Sequence, residues 1–367
     1  MLNNKTVAIV IPAYNEETQI AKVIETIPDF IDRIVIVNDC SSDNTAAIVK
    51  TCINSANNKG AIVIEEKKEV KRTKYNGADI MLFEQNIKND KSFAPSEVIN
   101  TNQDSDRIIL INHLKNSGVG AAIASGYNWC KKREIDCVAK MDGDGQMDPD
   151  ELLGLCEPVV YEGVDYVKGN RLSHQSSFDY MPKVRFLGNS VLSILTKIAS
   201  GYWRISDTQT GFTAISKLAI NSIKLHEIYP GYGYPNDLLV KLNITNSTIR
   251  EITIKPIYRI GEQSKMKIGR VINKVSRLLL KSFFKRIWMK YLIKDFHPLF
   301  ILYHISFALF FSCIPFAMKI VKYLTGEHTG DKPVLNSLVF MFLFFNSFQS
   351  LLFAMWMDIQ DNERLNK

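Results

Sequence analysis

Residues 137–149 read CVAKMDGDGQMDP, and the rest of the chain falls into place around this stretch. Cys137–Met141 is the kind of short, mostly apolar run that fills a strand buried on both faces. It leads directly into an acidic cluster. Acids that alternate after a buried strand fall on one side, so Asp142 and Asp144 face the same way, and the small residues between them let a ligand approach. Hard oxygen donors of this sort suit Mg2+ or Mn2+ held jointly with a diphosphate. The loop lacks the spacing and the terminal Glu of an EF-hand. Asp148 and Asp150 fit a plainer role, as solvated acids capping the next helix.

Working outward, TVAIVIP (6–12), RIVIV (33–37) and RIILIN (107–112) are further β-branched runs, and 61–64 reads as one more strand. Between them, Ile20, Val23, Ile24 and Ile27 have helical spacing, Ser42 and Asp43 are N-cap candidates for a helix to about Cys52, and Gly120–Glu134 reads as a helix. Strands alternating with helices over 150 residues predict an α/β domain with a mostly parallel sheet. Residues 65–107 break the rhythm. They hold 17 charged side chains in 43 positions, which predicts a solvated insertion or loop rather than a core element.

Past the acidic loop, 181–200 reads as a helix, 201–211 as a turn-rich stretch and 249–258 as a strand. Residues 265–294 then carry ten Lys or Arg and no acid, so the net charge of +7 becomes −3 for the remainder of the 367 residues. Their apolar residues, among them Val271, Val275, Leu279, Phe283 and Ile287, share a stripe flanked by the cations. That is the pattern of a helix lying on anionic membrane lipids, and its Phe, Leu and Trp content speaks against a nucleic-acid partner. Residues 296–318 and 334–357 contain no Lys, Arg, Asp or Glu. Each is long enough to cross a hydrocarbon core of roughly 30 Å, and the short connector predicts a hairpin. The expected organisation is a catalytic domain over 1–260, basic amphipathic helices over 261–295, a two-helix transmembrane hairpin over 296–357 and a tail over 358–367. The positive charge places the domain and the tail in the cytoplasm, on a multi-pass protein of the cell (inner) membrane.

The six cysteines are scattered without a CxxC pair, which argues against a zinc site or a disulfide framework. The N-terminal apolar run is too brief for a signal-peptide core and reads as the first strand. The sequence leaves the oligomeric state open, and a homo-oligomer is compatible with it.

Two more clusters are placed to bind a ligand. Pro12-Ala-Tyr-Asn-Glu16 and Asn38-Asp-Cys-Ser-Ser-Asp43 end adjacent strands, where open α/β sheets take ligands. Asp39 is suited to accept hydrogen bonds from a nucleobase or ribose, and Tyr14 offers a stacking face. Asn116-Ser-Gly118-Val-Gly120 opens a helix, and its glycines permit close backbone approach to a nucleotide. It matches neither GxGxxG nor a GK[ST] loop, so neither a dehydrogenase nor a P-loop NTPase is supported.

Taken in order and spacing, IVIPAYNEE (9–17), VNDCSSDNT (37–45), NSGVGAA (116–122) and MDGDGQMDP (141–149) resemble family 2 glycosyltransferases of the GT-A fold. Lys168-Gly-Asn-Arg171, Met181-Pro-Lys-Val-Arg185 with Gly188-Asn189, Asp207-Thr-Gln-Thr-Gly-Phe212 and Gly261-Glu-Gln-Ser-Lys265 narrow the resemblance. They point to the polyprenyl-phosphate (dolichol-phosphate) mannosyl- and glucosyltransferases, over about residues 5–270. The resemblance implies that Pro12, Tyr14, Glu16 and Asp39 hold the base and ribose of a nucleotide-diphosphate sugar, and that Asp142, Asp144 and Gln146 bind Mg2+ or Mn2+ and the diphosphate. It further implies that Arg171, Arg185 and Asn189 receive the phosphate of a polyprenyl phosphate acceptor, which suits guanidinium forks. Gln209 and Gly211 would line the sugar pocket, and Ser264 and Lys265 would close over the diphosphate.

The family's usual acidic pair at the acceptor site appears here as Asn236-Asp237, leaving Asp237 as its one carboxylate. A phosphate acceptor is already an anionic nucleophile at neutral pH and needs little help from a base. The expected activity is therefore inverting transfer of one hexose to polyprenyl phosphate, with Asp237 orienting rather than abstracting a proton. Transfer to a sugar or lipid hydroxyl in cell-envelope glycan assembly is the alternative, and it would make Asp237 an essential base. A processive synthase is disfavoured because no QxxRW occurs, and retention of both acids and both arginines speaks against an inactive scaffold.

Overall fold

The computed structural model describes residues 1–56, 62–67, 70–173, 183–255, 257, 268–326 and 333–367, without the side chains of 183–189 and 268–272. Arg185 and Asn189 therefore have a place on a helix but no described side chain. Ser264 and Lys265 lie outside the described residues.

Eight strands form one sheet: β1 Val7–Ala13, β2 Arg33–Asn38, β3 Ser96–Val98, β4 Ile108–His113, β5 Cys137–Lys140, β6 Tyr166–Asn170, β7 Thr213–Ser216 and β8 Ile249–Thr253. Their spatial order is β3-β4-β2-β1-β5-β7-β6-β8, with β3 and β7 antiparallel to their neighbours and the others aligned. This is the mostly parallel α/β sheet that the sequence predicts. The β-branched runs are central because both of their faces are covered. Ala8 and Val10 enter one core with helix α4 (Val119–Lys132), and Val7, Ile9 and Ile11 enter the other with α1 (Ile20–Glu25), α2 (Thr45–Ser55) and α5 (Leu152–Glu162).

Not every element is where the sequence places it. Residues 62–64 form no strand. Ile64 is buried, and its N–H donates to Asp104 O at 2.9 Å, so its apolar character reflects burial without strand pairing. The edge position belongs to β3. Within 65–107, α3 (Gly77–Asp90) forms with no residue buried, so the helix exists with its charge solvated. The α2 cap is Asn44, yet Asp43 serves the first turn by accepting from Thr45 N–H at 3.0 Å.

After β6 the chain adds α6 (Lys183–Ser200), α7 (Lys217–Ser222) and α8 (Tyr234–Ile244), then the basic helix α9 (Ile268–Trp288) with a π-helical turn Met289–Lys294. Val275, Leu279, Phe283, Ile287 and Tyr291 of the amphipathic stripe are buried against α6, α8 and the C-terminal helices. The apolar face of α9 is thus satisfied by protein, while Leu280 and Trp288 on another face stay exposed.

Helices α10 (Leu299–Leu324) and α11 (Val334–Glu363) pack together and are long and apolar enough to cross a membrane. Only 22% and 11% of their most apolar stretches are buried within the protein, which separates them from the core helices of a soluble domain.

Candidate active site

The carboxyl ends of β1, β2, β4 and β5 bring the motifs to one edge of the sheet. The first two lock together. Asn15 N–H donates to Ser41 Oγ at 3.0 Å, Glu16 N–H to Thr45 Oγ1 at 2.9 Å and Glu17 N–H to Asp43 Oδ2 at 3.1 Å. Asn15 and Cys40 hold positive φ of 57° and 59°, which lets both loops turn sharply. Pro12 sits in β1, and Tyr14, 41% exposed, stands beside the cleft with Glu16.

Asp39 is 4% exposed, and both of its oxygens are engaged within the chain. Its Oδ1 accepts from Ser117 N–H at 2.8 Å and its Oδ2 from Gly118 N–H at 2.7 Å, while His113 Nδ1 lies 2.7 Å from Oδ1. His113 Nε2 in turn meets Ser125 Oγ of α4 at 2.9 Å. Burial alone would raise the pKa of Asp39, but the hydrogen bonds from His113, Ser117 and Gly118 together outweigh it and hold the carboxyl below its ordinary value. Asp39 thus fixes the loop that opens α4. The glycines of that loop serve a close approach within the chain: a Cβ on Gly118 would meet Pro230 O at 2.5 Å, and Gly120 N–H donates to the same oxygen at 2.8 Å.

On the central loop, Asp142, Asp144 and Gln146 share one turn after β5, with Gly145 at φ +75°. Asp144 Oδ1 accepts from Gln146 N–H at 3.0 Å. Asp142 is ion-paired through Oδ1 with Lys140 Nζ, a lysine 1% exposed. That ammonium lies 5.7 Å from the ring centroid of Tyr234. Gly211 completes the corner, where a Cβ would lie 2.8 Å from Tyr234 Oη and 3.3 Å from Asp142 Oδ2.

Across the cleft, Asp207 grips Arg171: Nε to Oδ2 is 2.8 Å and Nη2 to Oδ1 is 3.2 Å. Burial would raise the Asp207 pKa, but the charge and hydrogen bonds of Arg171, with Lys168 behind, bring it below its ordinary value. Lys168 is fully buried and donates to Thr210 O, and burial brings its pKa down to about 8 against the pull of Asp207 and Glu251. Gln209 Nε2 donates to Asn236 Oδ1 at 3.0 Å. Asp237 Oδ2 accepts from Tyr229 N–H at 2.9 Å and is ion-paired with Lys241.

The structure therefore gathers Pro12, Tyr14, Glu16, Asp39 and Gly118 at one end of the sheet edge, Asp142, Asp144, Gln146 and Gly211 at its centre, and Arg171, Gln209 and Asp237 beyond. Sequence reading misses Lys140, Lys168, His113 and Asp207 as partners of the site residues. The signal was present for the first two, since a lysine inside an otherwise buried strand must have a counter-charge. The others needed the fold, because their partners stand 74 and 36 residues away.

The sequence pattern of glycosyl transferase family 2 matches residues 8–76 and 87–223, more than half of the chain, and steps over part of α3. The chain is 28% identical over 256 residues to a UDP-N-acetylglucosamine–dolichyl-phosphate N-acetylglucosaminyltransferase of Methanococcus voltae, covering 70% of this chain and 87% of that one. It is 26% identical over 172 residues to an undecaprenyl-phosphate mannosyltransferase of Micrococcus luteus, covering 46% and 70%. Among solved structures, glucosyl-3-phosphoglycerate synthase from Mycobacterium tuberculosis, in complex with Mn2+, UDP and phosphoglyceric acid, aligns with a TM-score of 0.47 at 16% identity, covering 77% of this chain and 78% of that one. The chain belongs to glycosyl transferase family 2 and is related to the dolichyl- and polyprenyl-phosphate sugar transferases.

Proposed function

We propose that the protein moves a single hexose, with inversion, from a nucleotide-diphosphate sugar to polyprenyl phosphate at the cytoplasmic face of a membrane in which α10 and α11 are anchored. The observation that carries the choice of acceptor is the state of Asp237. One of its oxygens is committed to Lys241 and to Tyr229 N–H, and its neighbour is Asn236 rather than a second acid. A single carboxylate already tied to a lysine lacks the second acid of a paired site, whereas a phosphate monoester arrives as an anion and needs no base.

Arg171, held by Asp207, presents a cation to that phosphate, and Arg185 and Asn189 stand on α6. One phosphate oxygen forms the bond to the anomeric carbon, and the bond to the nucleoside diphosphate breaks with its electron pair leaving on the diphosphate. Asp142 and Asp144, with Gln146, fit a divalent ion. Two carboxylates and an amide are hard oxygen donors in a number that a diphosphate completes, and no third acid, His or Cys joins them among the described residues. When bound, Mg2+ or Mn2+ would offset charge on the departing diphosphate. Lys140 holds Asp142 in place, and Pro12, Tyr14 and Glu16 border the base and ribose, with Gln209 and Gly211 at the sugar.

The test is a donor screen. Full-length protein in nanodiscs with Mn2+ or Mg2+ and polyprenyl phosphate is given UDP-glucose, GDP-mannose and UDP-N-acetylglucosamine in turn. Formation of one lipid-linked sugar of inverted anomeric configuration is expected. Transfer only to a hydroxyl acceptor would overturn the reading.

A further inference from the structure

Arg286 of α9 is fully buried and uses its guanidinium to join three helices. Nη1 and Nη2 hold the two oxygens of Asp358 on α11 at 2.7 and 2.8 Å, while Nε and Nη2 donate to the carbonyls of Ala199 and Ile198 at 2.9 and 3.0 Å, in the last turn of α6. Asp358 is also fully buried and is the first charged residue after the charge-free stretch of α11. It receives Tyr291 Oη at 2.8 Å and Asn362 Nδ2 at 2.9 Å. Asn362 brings in α8, accepting from Asn243 Nδ2 at 2.7 Å. Gly201, at φ +77°, makes the room: a Cβ there would lie 2.6 Å from Arg286 Nη1 and 3.2 Å from Asn243 Nδ2. The chain end then continues onto the sheet, with Ile249 N–H donating to Leu365 O at 2.7 Å and Lys367 N–H to Ile249 O at 3.0 Å.

The gripped elements are those that carry the acceptor side. Arg185 and Asn189 stand on α6, and Asn236 and Asp237 begin α8. Strand β8 supplies Glu251, whose Oε1 accepts from Ser206 and Asp207 N–H at 2.7 and 3.0 Å, and Asp207 holds Arg171. By helical rise, Asn243 is about 10 Å along α8 from Asn236, and Ala199 about 15 Å along α6 from Asn189. The donor-side loops are held instead by Asn15, Asp39 and Asp43. A buried ion pair with every oxygen hydrogen-bonded has one favourable arrangement, because any slip leaves a charge uncompensated in low dielectric.

We infer that Arg286 and Asp358 are a positioning pair that makes the second hairpin helix a working part of the acceptor site, fixing where the acceptor-side helices stand relative to the membrane. This rests on the reading of polyprenyl phosphate as the acceptor. The experiment uses full-length protein in nanodiscs and compares wild type, Asp358→Asn, and the double variant Arg286→Met with Asp358→Leu, which replaces the pair with apolar groups that can pack. Steady-state kinetics give the KM for a short-chain polyprenyl phosphate, calorimetry gives the Kd for the donor's nucleoside diphosphate, and thermal unfolding reports folding. In both variants the acceptor KM is expected to rise roughly ten-fold or more, as sub-ångström to ångström misplacement of a site produces. Nucleotide Kd should stay within about two-fold, since the donor loops share no partner with the pair. A folded double variant with wild-type acceptor KM would overturn the inference, as would equal weakening of nucleotide and acceptor. Absence of transfer to polyprenyl phosphate by the wild type would refute the acceptor reading itself, independently of any variant.

Discussion

Arg171 and Asp207 meet side on, two nitrogens against two oxygens at 2.8 and 3.2 Å, and Asp207 is only 2% exposed while Arg171 still reaches solvent. The buried acid orients the cation and leaves it usable, which is how a planar guanidinium is prepared for a phosphate. Replacing Asp207→Asn keeps the shape and removes the charge. Transfer should fall by about 100-fold, the cost of displacing a group that positions substrate, with the loss in the acceptor KM and kcat rather than in nucleotide affinity. Kinetics with both substrates varied measures this.

His113 acts on the other side of the cleft. It reaches Asp39 and Ser125 in one line, so His113→Phe fills the space but deprives a buried carboxylate of a partner. The loop after β4 should loosen. Nucleoside diphosphate affinity is expected to drop about ten-fold, the scale of one buried hydrogen bond left unmade, with acceptor KM unchanged. Calorimetric titration of the variant with UDP and GDP checks it.

Lys168 sets a pH signature. Burial brings its pKa from an ordinary 10.5 to about 8. The unfolded chain therefore holds this proton more tightly than the folded one, so between pH 8 and 10.5 this group makes the folded state more stable as pH rises. Below pH 8 the burial penalty is full and constant. Unfolding of wild type and Lys168→Met across that range should give a difference that grows in favour of wild type, by at most about 3 kcal/mol. A flat difference would show that the buried amine keeps its charge throughout.

Asp237→Asn separates the two acceptor chemistries. With a phosphate acceptor, the variant should retain activity to within about ten-fold, because no proton is abstracted. A general base would cost about 100-fold or more on removal. The rate of lipid-linked sugar formation at saturating donor decides it.

The extent to which these features were legible in the sequence follows from how local each one is. The strands β1, β2 and β4 are readable because continuous β-branched runs have one good environment, a sheet covered on both faces, and β5 is readable because its apolar residues lead straight into the acidic loop. Strands β6 and β7 were not singled out, since YVKGN and TAIS are short and β6 carries a lysine at its centre. The stretch 61–64 looked like a strand because Ile62 and Ile64 are drawn to the core, and burial without a ladder gives the same signal. The stripe of α9 is legible as amphipathic, but its apolar face meets protein rather than the membrane surface that its spacing and charge suggest, because periodicity cannot distinguish the two.

By itself, the sequence determined the order of the motifs, the αβ alternation, the acids Asp142 and Asp144 at the end of a buried strand, and two charge-free stretches long enough to cross a membrane. Each depends on residues within a few positions of one another, where spacing maps directly onto geometry. Tertiary structure alone decided that Asp39 is committed to His113 and to the Ser117 and Gly118 N–H groups of the loop after β4, that Lys140 and Lys168 stand beneath the site as buried counter-charges, and that Arg286 meets Asp358 across 72 residues. Charge compensation in a low-dielectric interior is settled by which chain segments pack together, and neither partner of such a pair carries a local mark of the other.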